Sequence, residues 1–180
     1  DNYEIPIPEH KFARNLFVRT SDDLVVLRVN IGFDEEIFIW DIDTQQLTQI
    51  TDNDFEIYWV KVSGEHVVWY TDDTSTLINP FSLWHWHDGQ LILLSENPGT
   101  RHHEEVFALH EGYVLFVEIE LDGGDYTLGD EYDAEVYYWH DGQKVQMTDN
   151  TVIETNLAIY VRPDVDVTIT PPIIVSEATP

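Results

Sequence analysis

The sequence contains no cysteine, one methionine, and only 8 basic residues against 35 acidic ones in 180. Without cysteine there can be no disulfide and no thiol nucleophile, and cysteine usage leaves the redox compartment open. Lysine is confined to Lys11, Lys61 and Lys144, and the formal net charge is -27. Such a surface repels phosphate backbones and anionic lipid, which argues against nucleic acid or a membrane as a partner. No apolar run approaches the roughly 18 residues of a membrane-spanning helix. Gly-x-Ser-x-Gly turns and phosphate-binding glycine loops are also missing, so no specific catalytic motif is present.

What remains is a chain of 43% hydrophobic and 13% aromatic residues, long enough for one domain with a real core. The apolar residues come in regular short runs, so the acid decorates a folded surface rather than marking disorder. A solvated acidic face accounts for that charge, with a high-salt habitat or cation binding as the sharper alternatives. The chain begins at Asp1 rather than Met, and the expectation is a secreted or periplasmic product whose signal segment has been removed.

Residues 36 to 73 organise the rest, because copies of this stretch recur. Branched and aromatic runs are broken there by Asp41-Ile42-Asp43-Thr44, Thr51-Asp52-Asn53-Asp54 and Ser63-Gly64-Glu65. Runs of about five residues are too short for amphipathic helices. They predict strands over Glu36 to Asp41, Leu47 to Thr51, Ile57 to Val62 and His66 to Thr71.

Upstream, residues 15–29 align with 57–71, matching Leu16 to Tyr58, Val18 to Val60, Ser21 to Ser63 and Val26 to Val68. Downstream, residues 81–97 and 106–120 form a second copy, in which Trp86 answers Trp40. A third copy begins at 134–150, where Trp139 holds the same position, and its weaker second half lies at 156–170. The three tryptophans are spaced by 46 and then 53 residues. Periods of about 40 to 50 with four strands each are the mark of propeller blades, each burying its faces against its neighbours.

The fold expected is therefore all-β, a propeller-like array of four-stranded antiparallel blades. Blades that begin at the inner strand set the frame at 15–51, 57–95 and 106–148, with two strands of a fourth at 157–170. Three parts are expected: an extended arm over 1–14, the repeat domain over 15–170 and an extended tail over 171–180.

The Ser-Gly-Glu or Ser-Asp-Asp turn, the apolar strand, Glu-Ile-Phe-Ile-Trp-Asp and Leu-Thr-Gln-Ile-Thr-Asp-Asn occur in an order that resembles the β-propeller repeats of the TolB family. The resemblance covers roughly residues 15 to 170 and is strongest at 36–73 and 134–150. It implies a propeller and an extracellular or periplasmic address, in a family that ranges from protein-binding modules to domains attached to hydrolases. Three and a half blades depart from the family's usual six or seven and fall short of the roughly four needed for a closed ring.

That shortfall gives the ends a role. Tyr3, Ile5 and Ile7 alternate in a run interrupted by Pro6 and Pro8, and Ile173, Ile174 and Val175 follow Pro171 and Pro172. Proline restricts both segments to edge strands or extended arms. They either complete a fourth blade within the chain or pair with a neighbouring molecule, as strand addition at a sheet edge allows. Head-to-tail contacts that do not close would make a fibre.

Four groups are candidates for chemistry. His85, His87 and His140 suggest metal binding, since residues two apart share one face of a strand. The repeat instead places His87-Asp88-Gly89 and His140-Asp141-Gly142 in hairpin turns of the Asp-Gly kind. His102, His103, Glu104 and Glu105, with His110, could bind zinc or act as acid and base, but a solvated polar loop accounts for them as well.

In the insertion at 121–133, Asp122, Asp125, Asp130 and Asp133 could bind calcium through several oxygens around a tight turn. An acidic linker is the competing reading, and the spacing does not match the twelve-residue calcium loop. The six tryptophans are read mainly as core, because Trp40, Trp86 and Trp139 recur in register.

The functional expectation is a secreted, non-enzymatic propeller-like module that binds a protein partner. The alternatives are a self-assembling subunit of an extracellular fibre or surface layer, joined to its own copies by its arms, and an enzyme or binder acting on extracellular polysaccharide. No cofactor other than calcium is implied.

Overall fold

The computed structural model describes residues 5, 17–21, 24–31, 34–72, 81–96, 107–120 and 133–149. The described residues contain twelve strands and no helix. They are β1 (Phe17–Thr20), β2 (Leu24–Ile31), β3 (Asp34–Asp41), β4 (Gln46–Gln49), β5 (Glu56–Ser63), β6 (His66–Asp72), β7 (Phe81–His87), β8 (Gln90–Ser95), β9 (Phe107–His110), β10 (Tyr113–Glu120), β11 (Asp133–His140) and β12 (Gln143–Gln146).

They form three four-stranded antiparallel sheets, each a meander in chain order: β1 to β4, β5 to β8 and β9 to β12. The expected frame thus holds at strand level. It also shows that the stretch 36–73 straddles two sheets, its first half closing the first and its second half opening the next. The repeat at 157–170 and the tail at 171–180 lie outside the described residues, as does the arm except for Ile5.

Each sheet alternates as a strand with two buried faces must. On the second sheet, Val67 and Trp69 point to one side and Val68 and Tyr70 to the other. The first side meets Leu24, Val26, Ile37 and Ile39 of the first sheet. The second side, with Phe81 and Leu83, meets Phe107, Val114, Phe116 and Trp139 of the third. The second sheet is therefore buried on both faces. On the far face of the first sheet, Leu27, Val29 and Phe38 are covered in part by Ile5, so one residue of the expected arm packs within its own chain.

The first strand of each sheet lies beside the first strand of the next, β1 by β5 and β5 by β9. Strand β5 carries a bulge between Tyr58 and Lys61, with Trp59 at φ 48°. One extra residue reverses the alternation, so Tyr58 and Trp59 both pack toward the third sheet while Ile57 and Val60 face the first.

The repeated polar residues have structural work. Thr51 Oγ1 accepts a hydrogen bond from the Ile37 amide at 2.7 Å and donates to the buried carboxylate of Glu36 at 2.5 Å. Thr148 does the same for the Val136 amide and for Glu135. That is why a threonine ends each of these two copies: it ties the chain leaving β4 or β12 to an inward-facing glutamate. The repeated serine links neighbours. Ser21 Oγ donates to the Gly64 carbonyl at 2.8 Å, and Ser63 Oγ accepts from the Glu111 amide at 2.9 Å.

The tryptophans confirm the register. Trp40, Trp86 and Trp139 pair with Val25, Val67 and Val114 respectively. Trp40, Trp69 and Trp139 are buried, and Trp59, Trp84 and Trp86 are half-buried against the two cores.

Candidate functional site

Among the described residues, a cluster of histidines lies at one end of the interface between the second and third sheets. It is assembled by sheet register. His66 opens β6, and His85 and His87 lie two apart near the end of β7, on the face that Val68 and Leu83 share. Because Val67 pairs with Trp86 and Val68 with His85, the β6–β7 ladder sets His66 beside both histidines of β7.

His66 Nδ1 is 3.0 Å from His85 Nε2. The His66 ring also stacks on His87, with centroids 4.0 Å apart and planes within 9°. His85 is only 1% exposed and packs edge-on against Trp139 of β11 at 4.5 Å. Its Nδ1 is buried with no hydrogen-bond partner among the described residues.

The third sheet closes the cluster from the other side. Glu111 and Gly112 occupy the β9–β10 turn at φ 44° and 81°. A Cβ on Gly112 would lie 2.6 Å from the His66 ring. Glycine is thus required here twice over, by the left-handed backbone and by the imidazole lying against it. The Gly112 carbonyl faces His140 Nδ1 at 3.4 Å, and His140 stacks on Tyr113 at 3.9 Å.

Charge is unwelcome in this setting. Burial, and then the neighbouring His87 and His140, push the His66 pKa down to about 4, with Asp141 acting weakly the other way. Burial, and then His66 and His87, bring His85 to about 4 as well. Both rings are therefore neutral at pH 7. Among the described residues, carboxylates meet the cluster at its rim, Glu65 3.8 Å from His87 and Asp141 3.3 Å from His140.

The expected turn role of His87 and His140 holds. Asp88-Gly89 and Asp141-Gly142 are two-residue loops with positive φ throughout, 48° and 74°, then 48° and 78°. His87 pairs with Gln90 across one loop and His140 with Gln143 across the other. Asp41 closes a longer turn, accepting the Thr44 amide at 2.7 Å; that amide, then the Thr44 side chain, lowers its pKa.

Sequence reasoning missed His66 as the partner of His85 and His87. The signal was available: position 66 lies two residues before position 68, which a correct register sets opposite position 85. Among the described residues no group of three or more His, Asp or Glu side chains is arranged to hold a metal ion.

His102, His103, Glu104 and Glu105 lie outside the described residues, as do Asp122, Asp125 and Asp130. His110 ends β9, its Nε2 3.9 Å from Glu111. Asp133 is the first residue of β11, its backbone paired with Glu120, so strand structure begins at the last residue of the expected 121–133 loop. Of the arm positions, Tyr3, Ile7, Ile173, Ile174 and Val175 are likewise outside the described residues.

No protein-family model matches the sequence, and no curated protein matches it. Among solved structures, the N-terminal domain of Nup159 is similar at a TM-score of 0.24 and 13% identity. The match covers 73% of this chain and 47% of that one, so the chain spans about half the length of that domain. So slight a likeness supports no statement about function.

Proposed function

We propose that the chain is a non-enzymatic, extracytoplasmic β-propeller-like module of the TolB-like kind that binds a protein partner. The observation that carries this reading is the stacking of three four-stranded meanders with β1, β5 and β9 side by side. Propeller blades are arranged in this way, with first strands inward and faces packed on neighbours.

The third sheet presents Tyr113, Leu115, Tyr138 and His140 on the face that, in the second sheet, is buried by its successor. Burial, then Tyr113 and Asp141, raise the Tyr138 hydroxyl to about 12, so it stays a neutral hydrogen-bonding group throughout the physiological range. A half-buried face rich in tyrosine suits either a further blade or a partner. In the proposed form, residues 157–170 and the two arms cover this face within one molecule. The protein then elutes as a monomer whose apparent mass does not change with concentration. A polymer that persists on dilution would exclude a closed single-chain module.

A second reading is favoured by Ile5, which sits against Leu27, Val29 and Phe38 on the far face of the first sheet. An arm that docks there in its own molecule can dock on the same face of a neighbour, giving a fibre or surface layer. Deleting residues 1–12 abolishes assembly in that case and leaves the β-sheet circular dichroism signal intact. Assembly that survives the deletion rules out arm exchange.

A further inference from the structure

The two interfaces of the second sheet are built on the same repeat positions, yet one end of them differs in kind. Toward the second sheet, the first sheet presents Leu24, Ile39 and Asp41. One repeat later, at the equivalent positions facing the third sheet, stand His66, His85 and His87.

The three rings are arranged so that they cannot all carry charge. A hydrogen bond between His66 Nδ1 and His85 Nε2, 3.0 Å apart, needs a proton on one nitrogen and a lone pair on the other. Two imidazolium ions would point two N–H groups at each other across that gap. His87 stacks on the opposite side at 4.0 Å, so a charge there adds like-charge repulsion at close range.

His66 has no room to withdraw. One ring face lies on His87 and the other on the Gly112 backbone, where even a Cβ would be at 2.6 Å. His85 is enclosed by Trp139. Relief of the repulsion therefore requires Gly112 and Trp139, both of the third sheet, to move away.

We propose that His66 and His85, with His87 stacked on His66, form an acid-operated latch, holding the second and third sheets together while the two rings are neutral and parting them when the two are protonated. The charged and titratable groups around these rings are Glu65 and His87 from the second sheet and His140 and Asp141 from the third, with Glu111 beside Gly112 in the β9–β10 turn. The carboxylates at 65 and 141 contact His87 and His140 at the solvent rim, and neither is within salt-bridge distance of the buried His85.

The direction follows by linkage. His66 and His85 hold fewer protons folded than unfolded, because their folded values near 4 lie below the ordinary 6.5. Their stabilising contribution is complete above about pH 6.5 and is lost as the pH falls toward about 4. The first-sheet interface has no such group at positions 24 and 39 and does not share the response.

Since the chain lacks cysteine, single reporters are clean. Val68→Cys probes the latched interface and Val26→Cys the other, both positions being essentially unexposed. Each is labelled with a dipyridyl disulfide, which reacts in acid, and the ratio of the two rates cancels the thiol's own pH dependence. The ratio is expected to rise by at least about tenfold between about pH 7 and pH 4.5. The rise should disappear with His66→Gln, which keeps a hydrogen-bonding side chain but does not ionise.

A flat ratio in the parent chain overturns the latch, and so does a rise that survives His66→Gln. Should that variant not fold, imidazole proton NMR on the parent chain decides. The buried rings must gain their protons in the same pH interval in which Val68→Cys opens. Protonation without opening, or opening without protonation, refutes the proposal.

Discussion

The second sheet has two faces that meet their neighbours in different chemical terms. Toward the first sheet, Val67 and Trp69 close on Leu24, Val26, Ile37 and Ile39, and besides the Ser21–Gly64 bond the polar contact there is a grip on one residue. Arg28 donates to the Ile57 carbonyl at 2.5 Å, and Glu35 accepts the Ile57 amide at 2.9 Å. Toward the third sheet, the core is aromatic, with Tyr70, Phe81, Phe107, Phe116 and Trp139, and the rim carries histidines. Lysine and serine do the polar work at this interface: Lys61 bonds the Phe107 carbonyl, Lys144 Nζ donates to the Leu94 carbonyl at 3.4 Å, and Ser95 Oγ donates to Glu118 at 2.8 Å. One repeat thus serves two interfaces, and the lesson is that the pattern of burial is shared while the chemistry of the rim is free to vary.

The largest test of that comparison is to empty each core in turn. Trp69→Ala on one side and Phe116→Ala on the other should each cost about 3–5 kcal/mol in chemical denaturation, since both side chains are fully enclosed. If the interfaces belong to one cooperative unit, fluorescence and circular dichroism transitions coincide in both variants. A split transition in Phe116→Ala alone would show the third sheet to be separable.

A smaller effect isolates the crowding at the histidine rim. Gly89 and Gly112 have nearly the same backbone angle, φ 74° and 81°, but a Cβ on Gly89 meets nothing within 4 Å. Gly89→Ala should therefore cost only the left-handed penalty of about 1–2 kcal/mol. Gly112→Ala adds the displacement of His66, for a total of about 2–4 kcal/mol. Equal losses would mean that the ring yields freely.

The smallest effect is expected at the rim ion pair of Lys144 and Glu118. Lys144→Met should change stability by less than about 1 kcal/mol, because the lysine is partly solvated and an isolated pair at a surface is worth little. A larger loss would show that its ammonium over the Tyr137 ring, 4.5 Å from the ring centroid, contributes through a cation–π contact.

Much of this architecture was legible because it repeats. A tryptophan before each turn, a serine at two inner turns and a threonine after two outer strands are each fixed by a contact that recurs, so comparison of copies exposed them. The histidine cluster was less legible for the same reason in reverse. His66 stands where the other copies have Leu24 and Tyr113, and a position that varies in type looks like tolerance unless its cross-strand neighbours are known. His87 does precede a turn, yet the turn leaves its ring free to stack, and a turn signal carries no information about the ring. The bulge at Trp59 was not legible, since one extra residue in a strand leaves the apolar count unchanged.

The meander order of the sheets bears on how the chain reaches its structure. Every sheet joins strands that are consecutive in sequence, so the loops to be closed are short and the entropy lost in closing them is small. The first sheet has all of its strands once Gln49 has emerged from the ribosome, and the second once Ser95 has. Among the described strands assembly can then follow synthesis, each new sheet finding a finished face already waiting and none of these strands awaiting a partner far down the chain.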